Sequence, residues 1–399
     1  MLSLRQLYKI GRGPSSSHTM GPDKAARRFI DMYSDADKYK VVLYGSLAKT
    51  GVGHRTDWVL NQAFEGRDCD IVLDMDKEIE DHPNTMDFYA CYNSGEIRTA
   101  RFFSVGGGDI RMKGEEIAPE EDVYELNSFT AISEYCREKE ICLWQYVEEC
   151  EGPEIWEYLA EVWEVMKAAI KEGLNTQGVL PGGLNMQRKA RYLYRQRHID
   201  ENEETKVNRL VCAYAFAVSE QNASGGTIVT APTCGSCGVV PAVLMFAQKK
   251  RNFSDGQIIR ALAAGGIIGN LIKTNASISG AECGCQAEIG TACAMAAAAI
   301  AELYELDLDQ IEYAAEMSIE HHLGLTCDPV KGLVQIPCIE RNAVAAMRAI
   351  NAVNLADFLA DTRKISFDMV VETMYETGKD LKVVYRETSE GGLASKYNV

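Results

Sequence analysis

The chain has 399 residues, is 46% apolar and 25% charged, and carries a formal charge of −17. That length allows two ordinary domains and a large core, with the composition of a soluble globular protein. The scattered acids argue against nucleic acid or an anionic membrane as partner.

No opening segment combines a basic start, an apolar centre and a cleavage site, which points away from secretion. The longest apolar run, near ALAAGGIIGNLI (261–272), falls short of the roughly 20 residues that span a bilayer. A cytoplasmic protein is expected, in which disulfides are rare. Most of the 13 cysteines then read as small buried hydrophobes and a few as metal ligands.

MLSLRQLYKIGRGPSSSHTMGP opens as a polar loop marked by Gly and Pro. In DKAARRFIDMY, Ala25, Phe29, Ile30 and Tyr33 share one face, which predicts an amphipathic helix over 22–33. Ser15, Ser16, Ser17 and Thr19 lie just before its N-terminus, where hydroxyls and free N–H groups suit a carboxylate; a simple helix cap is the plainer reading. KVVLYG (40–45) predicts a strand, and SLAKTGVGHRTD (46–57) a Gly-punctuated turn into the helix DWVLNQAF. CDIVLDM (69–75), MDFYACY (86–92) and TARFFSVGGG (99–108) predict further strands, the last two joined by the hairpin NSGE. Residues 1–125 thus form an α+β domain with a small, mostly antiparallel sheet.

From residue 126 the pattern turns helical. Helices are expected over 127–151, 153–172, 186–220, 237–250, 254–273, 291–305, 309–322 and 339–360, with no convincing strand. Residues 126–399 form one larger, mainly α-helical domain, since no linker-like segment divides them. The closing RETSEGGLASKYNV reads as an exposed or partly inserted tail.

Three cysteines stand in turn-like surroundings rather than on an apolar face: Cys285, Cys327 and Cys338, spaced 42 and 11 residues apart. They read as three thiolate ligands of an iron–sulfur cluster whose fourth iron stays open to a substrate. Cys285 precedes the Ala-rich helix 291–305 and Cys338 opens the next long helix, so both sit near helix N-termini that favour thiolates. Cys234-Gly-Ser-Cys237 with Cys283-Gly-Cys285 is a rival, four-thiolate zinc set. Such a knuckle usually organises a small module, and packing is the plainer reading of Cys234, Cys237 and Cys283. Cys293 and Cys212 read as core, and Cys69, Cys91, Cys136, Cys142 and Cys150 lack ligand-like spacing.

Among the six histidines, His18 and His54 stand in Ser- and Gly-rich turns, a usual place for catalytic groups. His321 and His322 close a helix and read as caps. His82 and His198 fall in charged, exposed stretches.

SSSHTMGP (15–22), GSLAKTGVGHRTD (45–57), FSVGGG (103–108), LPGGLNMQRKA (180–190), TAPTCGSCGVVPAV (230–243), NASISGAECGCQAEIG (275–290) and EHHLGLTCDPVKGLVQIPCIERNA (320–343) run in order across nearly the whole chain. Together they resemble the iron–sulfur-dependent L-serine dehydratases of the single-chain type, the N-terminal part resembling that family's β domain and the helical part its cluster-bearing α domain. The resemblance implies a 4Fe–4S cluster on Cys285, Cys327 and Cys338, and essential histidines at His18 and His54. It implies substrate-pocket roles for Ser15, Ser16, Ser17, Thr19, Asn275, Ser277, Gly280 and Arg341. It also implies L-serine as substrate, a cytoplasmic homodimer, a place in amino-acid catabolism and gluconeogenesis, and an N-terminal domain open to effector binding. Two departures stand out. Some single-chain members end in a cysteine that caps the open iron, whereas this chain ends Lys396-Tyr397-Asn398-Val399. The segment between His54 and Gly106 is also shorter than in many relatives.

Dehydrating serine means removing a weakly acidic Cα proton and expelling hydroxide, a poor leaving group. An open iron serves as Lewis acid for the hydroxyl, and a neutral histidine accepts the proton at physiological pH. His54 is expected as that base with His18 positioning the substrate, the reverse remaining open. Three other readings are kept. A pyridoxal-phosphate β-eliminase would use a Schiff-base lysine such as Lys273. An iron–sulfur electron-transfer or redox-sensing protein would have no use for His18 and His54. A zinc-stabilised amino-acid-binding protein is the third.

Overall fold

The computed structural model describes residues 1–399 apart from 78, 80, 83, 116–121, 197–200 and 398–399. Among the described residues the strands are β1 (Ile10–Arg12), β2 (Lys38–Tyr44), β3 (Cys69–Asp74), β4 (Thr85–Cys91), β5 (Ile97–Gly106), β6 (Asp109–Met112) and β7 (Thr227–Val229). The chain divides into two compact units, Arg12–Pro119 and Met1–Gly11 with Glu120–Val399.

The smaller unit is built on a five-stranded sheet ordered β3-β2-β4-β5-β6. β2 and β3 run parallel, and the other neighbouring pairs are antiparallel. Strand side chains alternate between faces, so Tyr39, Val41 and Leu43 of β2 join Phe88 of β4 and Phe102 of β5 on the buried side. The helix Gly21–Met32 lays Ala25, Ala26, Phe29 and Ile30 on that face, and Thr56–Ala63 adds Leu60 and Ala63. Each such buried aromatic or branched side chain contributes about 1.5–3 kcal/mol. The expected turn after β2 is narrower than 46–57: Gly45–Thr50 is helical and only 51–55 turn, carrying His54.

The larger unit is helical. Its principal helices are Phe129–Lys139, Leu143–Glu151, Ile155–Asn175, Glu203–Ala223, Val239–Arg251, Asp255–Asn275, Thr291–Leu303, Leu308–Glu320, Cys338–Leu359 and Phe367–Asp380. Apart from Glu302, every residue of Thr291–Leu303 is buried. A helix apolar on all sides must lie inside others, and Val239–Arg251, Asp255–Asn275, Leu308–Glu320 and Cys338–Leu359 pack around it. Cβ atoms at Gly266 and Gly269 would strike Leu4 and Leu7 at 2.8 and 2.9 Å, so that glycine face receives the first turn of the chain. Tyr8 extends the contact, its hydroxyl donating to Leu262 O at 2.9 Å.

The stretch Cys338–Thr362 is long and apolar enough to cross a membrane by composition. Here one face of it, with Ala345, Ala346, Ala349 and Val353, is buried, while Val344, Leu355 and Phe358 are exposed.

Two expected helices are broken. The stretch 127–151 divides at Glu140, in the left-handed region at φ 55°, and Cys142 N–H then donates to Gln145 Oε1 at 2.8 Å to start the second helix. The stretch 186–220 begins instead as an extended return: Leu180 N–H bonds Met186 O and Arg188 N–H bonds Gly178 O, around the positive-φ residues Gly182, Gly183 and Asn185. Helices follow at Ala190–Arg195 and Glu203–Ala223, and His198 lies outside the described residues. The sequence reading has no counterpart to Phe367–Asp380, and the tail after it is seated rather than loose.

Candidate functional site

Cys285, Cys327 and Cys338 lie in the helical unit and are 3%, 3% and 8% exposed. Cys285 opens a π-helical turn, Gln286–Gly290, that runs into the buried helix Thr291–Leu303; such turns recur at functional sites. Cys338 is the first residue of Cys338–Leu359. Cys327 sits in a loop whose N–H bonds Tyr385 O at 2.8 Å, while Glu387 N–H bonds its carbonyl at 2.8 Å. The C-terminal tail is therefore paired to the Cys327 loop, the inserted form of the sequence expectation.

Three polar side chains fasten these loops together. Gln286, fully buried, donates to Cys283 O and Met374 O and accepts from Gly324 N–H at 2.9 Å, while its own N–H bonds Leu325 O. Arg341 donates to Thr326 O at 2.6 Å and Asp328 Oδ1 at 2.9 Å, on either side of Cys327. Asn342 donates to Cys338 O and Gly235 O and accepts from Gly238 N–H, tying the CGSCG loop to Cys338.

Glu288 lies among the thiols. The ligand atoms of Cys285, Glu288 and Cys327 are all within 4.8 Å of one another, the only such group of three His, Cys, Asp or Glu among the described residues. Neither Cys338 nor the four-thiolate zinc set is gathered in this way. Glu288 Oε2 is 3.7 Å from Cys285 Sγ and 3.9 Å from Cys327 Sγ, and Oε1 accepts from Thr233 Oγ1 at 2.6 Å. The Cys285 contact, then burial, pushes the Cys327 thiol well up. Burial, then the charge of Cys285, pushes up Cys338, with Arg341 opposing. Burial also raises the Glu288 carboxyl against its Thr233 bond, and burial and the charge of Glu288 raise Glu387 to about 8. Donors that crowd one another in this way hold protons until a cation replaces them.

Gly284 makes the Cys285 turn possible. It sits at φ 74°, where an added Cβ would lie 2.7 Å from Leu381 Cδ1 and 2.8 Å from Leu325 O. Gly284→Ala is expected to destabilise the protein by about 1–3 kcal/mol, read as a lower urea midpoint with loss of bound metal.

The other expected pocket residues of this unit fall in two groups. An added Cβ at Gly280 would lie 2.6 Å from Glu288 Oε2 and 3.0 Å from Cys327 Sγ, so Gly280 borders the thiol site. Arg341 does too, as a brace and counter-charge. Ser277 Oγ donates to Glu282 Oε2 at 2.7 Å within its own loop, while exposed Asn275, the last residue of its helix, donates to Leu271 O and to the distant Asn127 O. Lys273 Nζ donates to Gln6 O at 2.9 Å.

His18 and His54 come together in the smaller unit, ring centroids 4.6 Å apart. Ser16–Met20 is a second π-helical turn ahead of an α-helix, with Ser15 Oγ accepting from His18 N–H. Thr19 Oγ1 donates to His54 O at 2.8 Å and Thr56 Oγ1 to His18 O at 2.6 Å, a reciprocal lock. Ser104 Oγ donates to Ser17 O and holds the loop to β5. His18 lies between two hydroxyls, Nδ1 2.9 Å from Ser17 Oγ and Nε2 3.0 Å from Ser46 Oγ. His54 is 3% exposed, and among the described residues neither ring nitrogen makes a hydrogen bond of good geometry, although the Thr50 backbone lies near enough to oppose part of the effect of burial. Burial lowers His54 to about 4. Burial, then the charge of His54, lowers His18 well below the usual range. Both imidazoles are neutral at pH 7. His321 and His322 bond the carbonyls of Met317 and Ser318 through Nδ1, as helix-end groups.

Sequence reasoning missed Glu288, Gln286, Asn342, Glu387 and Ser46. Only Glu288 carried a signal, its place three residues after Cys285 at the start of an apolar helix.

A thiol-lined site that could hold a metal, in a helical unit, and a pair of buried histidines, in an α+β unit, describe a two-part enzyme carried on one chain. The alpha-chain model of serine dehydratase matches residues 115–394, and the beta-chain model residues 3–72 and 60–115. The chain belongs to the serine dehydratase family, with alpha and beta parts fused. It is 41% identical to L-serine dehydratase 1 of Escherichia coli, over 99% of each chain. It is 39% identical to L-serine dehydratases of Haemophilus influenzae and Streptomyces coelicolor, over 99% and 98% of each chain.

Proposed function

We propose that this chain is an L-serine ammonia-lyase, releasing pyruvate and ammonia, with a 4Fe–4S cluster on Cys285, Cys327 and Cys338. The observation that carries the reading is the fastening of three loops, distant in sequence, by Gln286, Arg341 and Asn342 around a buried thiol set that favours a cation. Full-length similarity to L-serine dehydratases supports the same choice. The cluster, when bound, supplies a Lewis-acidic iron suited to a hydroxyl leaving group.

The chain's own residues do the rest. His54, neutral, takes the Cα proton. His18, held between Ser17 and Ser46, positions the substrate. The loop Ser15, Ser16, Ser17 and Thr19 offers hydroxyls and the free N–H groups of a helix start to the substrate carboxylate. Gly280 leaves room beside Glu288, and Arg341 balances thiolate charge, while Asn275 and Ser277 shape the adjoining loop. The aminoacrylate product tautomerises and hydrolyses without help. The reading carries a cytoplasmic homodimer in amino-acid catabolism leading to gluconeogenesis.

Anaerobic purification with iron and sulfide assays, followed by pyruvate detection from L-serine, tests it. The expected result is about four irons and four sulfides per chain, with activity lost in air and restored by iron and sulfide under reducing conditions. A protein without iron, bearing a borohydride-reducible chromophore on Lys273, would replace this reading with the pyridoxal one.

A further inference from the structure

Glu302, the one residue of Thr291–Leu303 that is not buried, lines a cavity of about 580 Å³ at the C-terminal end of that helix. Cys285 lies before the other end. The 13 residues of the helix, at 1.5 Å each, put the two about 20 Å apart, so this cavity is not the thiol site. Leu143 and Trp144, which open the helix Leu143–Glu151, form part of its wall, and Leu303, Leu306 and Ile311 add apolar surface. Arg260 lines it too, its guanidinium 4.3 Å over the Trp144 ring. Stacking of this kind holds a guanidinium by its face and leaves its in-plane N–H donors for a ligand. Among the described residues, the Arg260 side chain donates no hydrogen bond and joins no ion pair. The carboxylates of Glu302 and Glu305, both in the lining, likewise accept none. The other charges of the lining are engaged: Arg137 pairs with Asp309 at 3.0 Å, Asp309 also takes Arg363 at 3.1 Å, and Asp307 accepts Gln310 N–H at 2.8 Å.

One guanidinium and two carboxylates thus share a cavity without pairing. Glu302 is near enough to feel the Arg260 charge, and burial still raises its carboxyl to about 7; no ion pair closes the gap between them. The helix ends carry the same polarity. The positive end of Leu143–Glu151 lies at Trp144, under Arg260, and the negative end of Thr291–Leu303 lies at Glu302. A ligand with one anionic group, one cationic group and an apolar remainder matches both ends and the wall between them. A dicarboxylate would meet Glu302 and Glu305, and a diamine would meet Arg260. We propose that this cavity binds a free α-amino acid with an apolar side chain, its carboxylate on Arg260 and its ammonium on Glu302 and Glu305. The inference goes beyond the serine-lyase reading and does not rest on it, since the cavity shares no residue with the thiol site.

The test is isothermal titration calorimetry of the anaerobically purified full chain with L-leucine. Isoamylamine, which lacks the carboxylate, and isocaproate, which lacks the ammonium, are titrated beside it. One leucine per chain is expected, with a Kd of about 1 mM or tighter. Each truncated compound should bind at least about tenfold more weakly, the loss typical of a charged hydrogen bond. Arg260→Gln and Glu302→Gln should each weaken leucine by a similar factor, with far-UV circular dichroism and iron content as in the parent. Arg260 is exposed, so its variant still reads the site if Glu302→Gln disturbs the helix end. No saturable binding of leucine up to about 10 mM, an affinity unchanged in Arg260→Gln, or a truncated compound that binds as well as leucine would overturn the proposal. Leucine inhibition competitive with L-serine and unchanged in both variants would place it at the thiol site, and would overturn it as well. Calorimetry reads binding without turnover, so a chain that binds leucine as expected but forms no pyruvate removes the lyase reading alone.

Discussion

Cys338→Ser is expected to give a folded chain that loses its iron and, with it, pyruvate formation by a factor of about 10³ or more. Two thiolates and a hydroxyl do not replace three thiolates around a soft cluster, because the hydroxyl stays protonated and is a harder donor. Folding should survive, since the loop is held through the Cys338 carbonyl by Asn342 rather than through sulfur. Iron content, the visible spectrum and far-UV circular dichroism together read the outcome. Cys293→Ser is the control: that thiol is buried on the alanine-rich helix and donates to Ala345 O at 3.3 Å, remote in role from the site. It should keep iron and turnover. If Cys338→Ser retained both, the three-cysteine assignment would be lost.

What could be read beforehand follows from how local each signal is. The alternation in KVVLYG and MDFYACY, and the alanine run after Cys285, are local patterns, and they became β2, β4 and the central helix with ends within one or two residues. The cysteines stood out because turn residues surround them. The groups that bring them together did not. Gln286 reaches Met374, Asn342 reaches Gly235 and Glu387 reaches Cys327, contacts spanning from 60 to 107 residues, and no period in the sequence records such pairs. Glu288 looked like one acid among 58. The break at Glu140 hid for a different reason: a left-handed non-glycine residue is rare enough that helical periodicity on both sides outweighs it. Leu4, Leu7 and Tyr8 looked like part of an opening loop because their partners are glycines, which leave no apolar stripe to notice.

His54→Ala is expected to lower kcat by about 10²–10⁴, the usual contribution of a general base, with iron content unchanged. The choice of His54 over His18 turns on hydrogen bonding. A base needs a lone pair that nothing else occupies. Both nitrogens of His18 are taken by Ser17 and Ser46, whereas those of His54 are buried and, among the described residues, have only the Thr50 backbone nearby, at no good hydrogen-bond geometry. The pH profile supplies a second readout. Burial lowers His54 to about 4, so its imidazole is unprotonated above that value and gains a proton only as pH falls through it. The acid limb of kcat/KM should therefore lie below 6.5, the ordinary histidine value, and should vanish from the residual activity of His54→Ala. Were His18 the base, His18→Ala would remove that limb and His54→Ala would keep it. Loosening His18 alone, by Ser46→Ala, should raise KM more than it lowers kcat, because a positioning ring that loses one of its two hydroxyl anchors still leaves the proton acceptor in place.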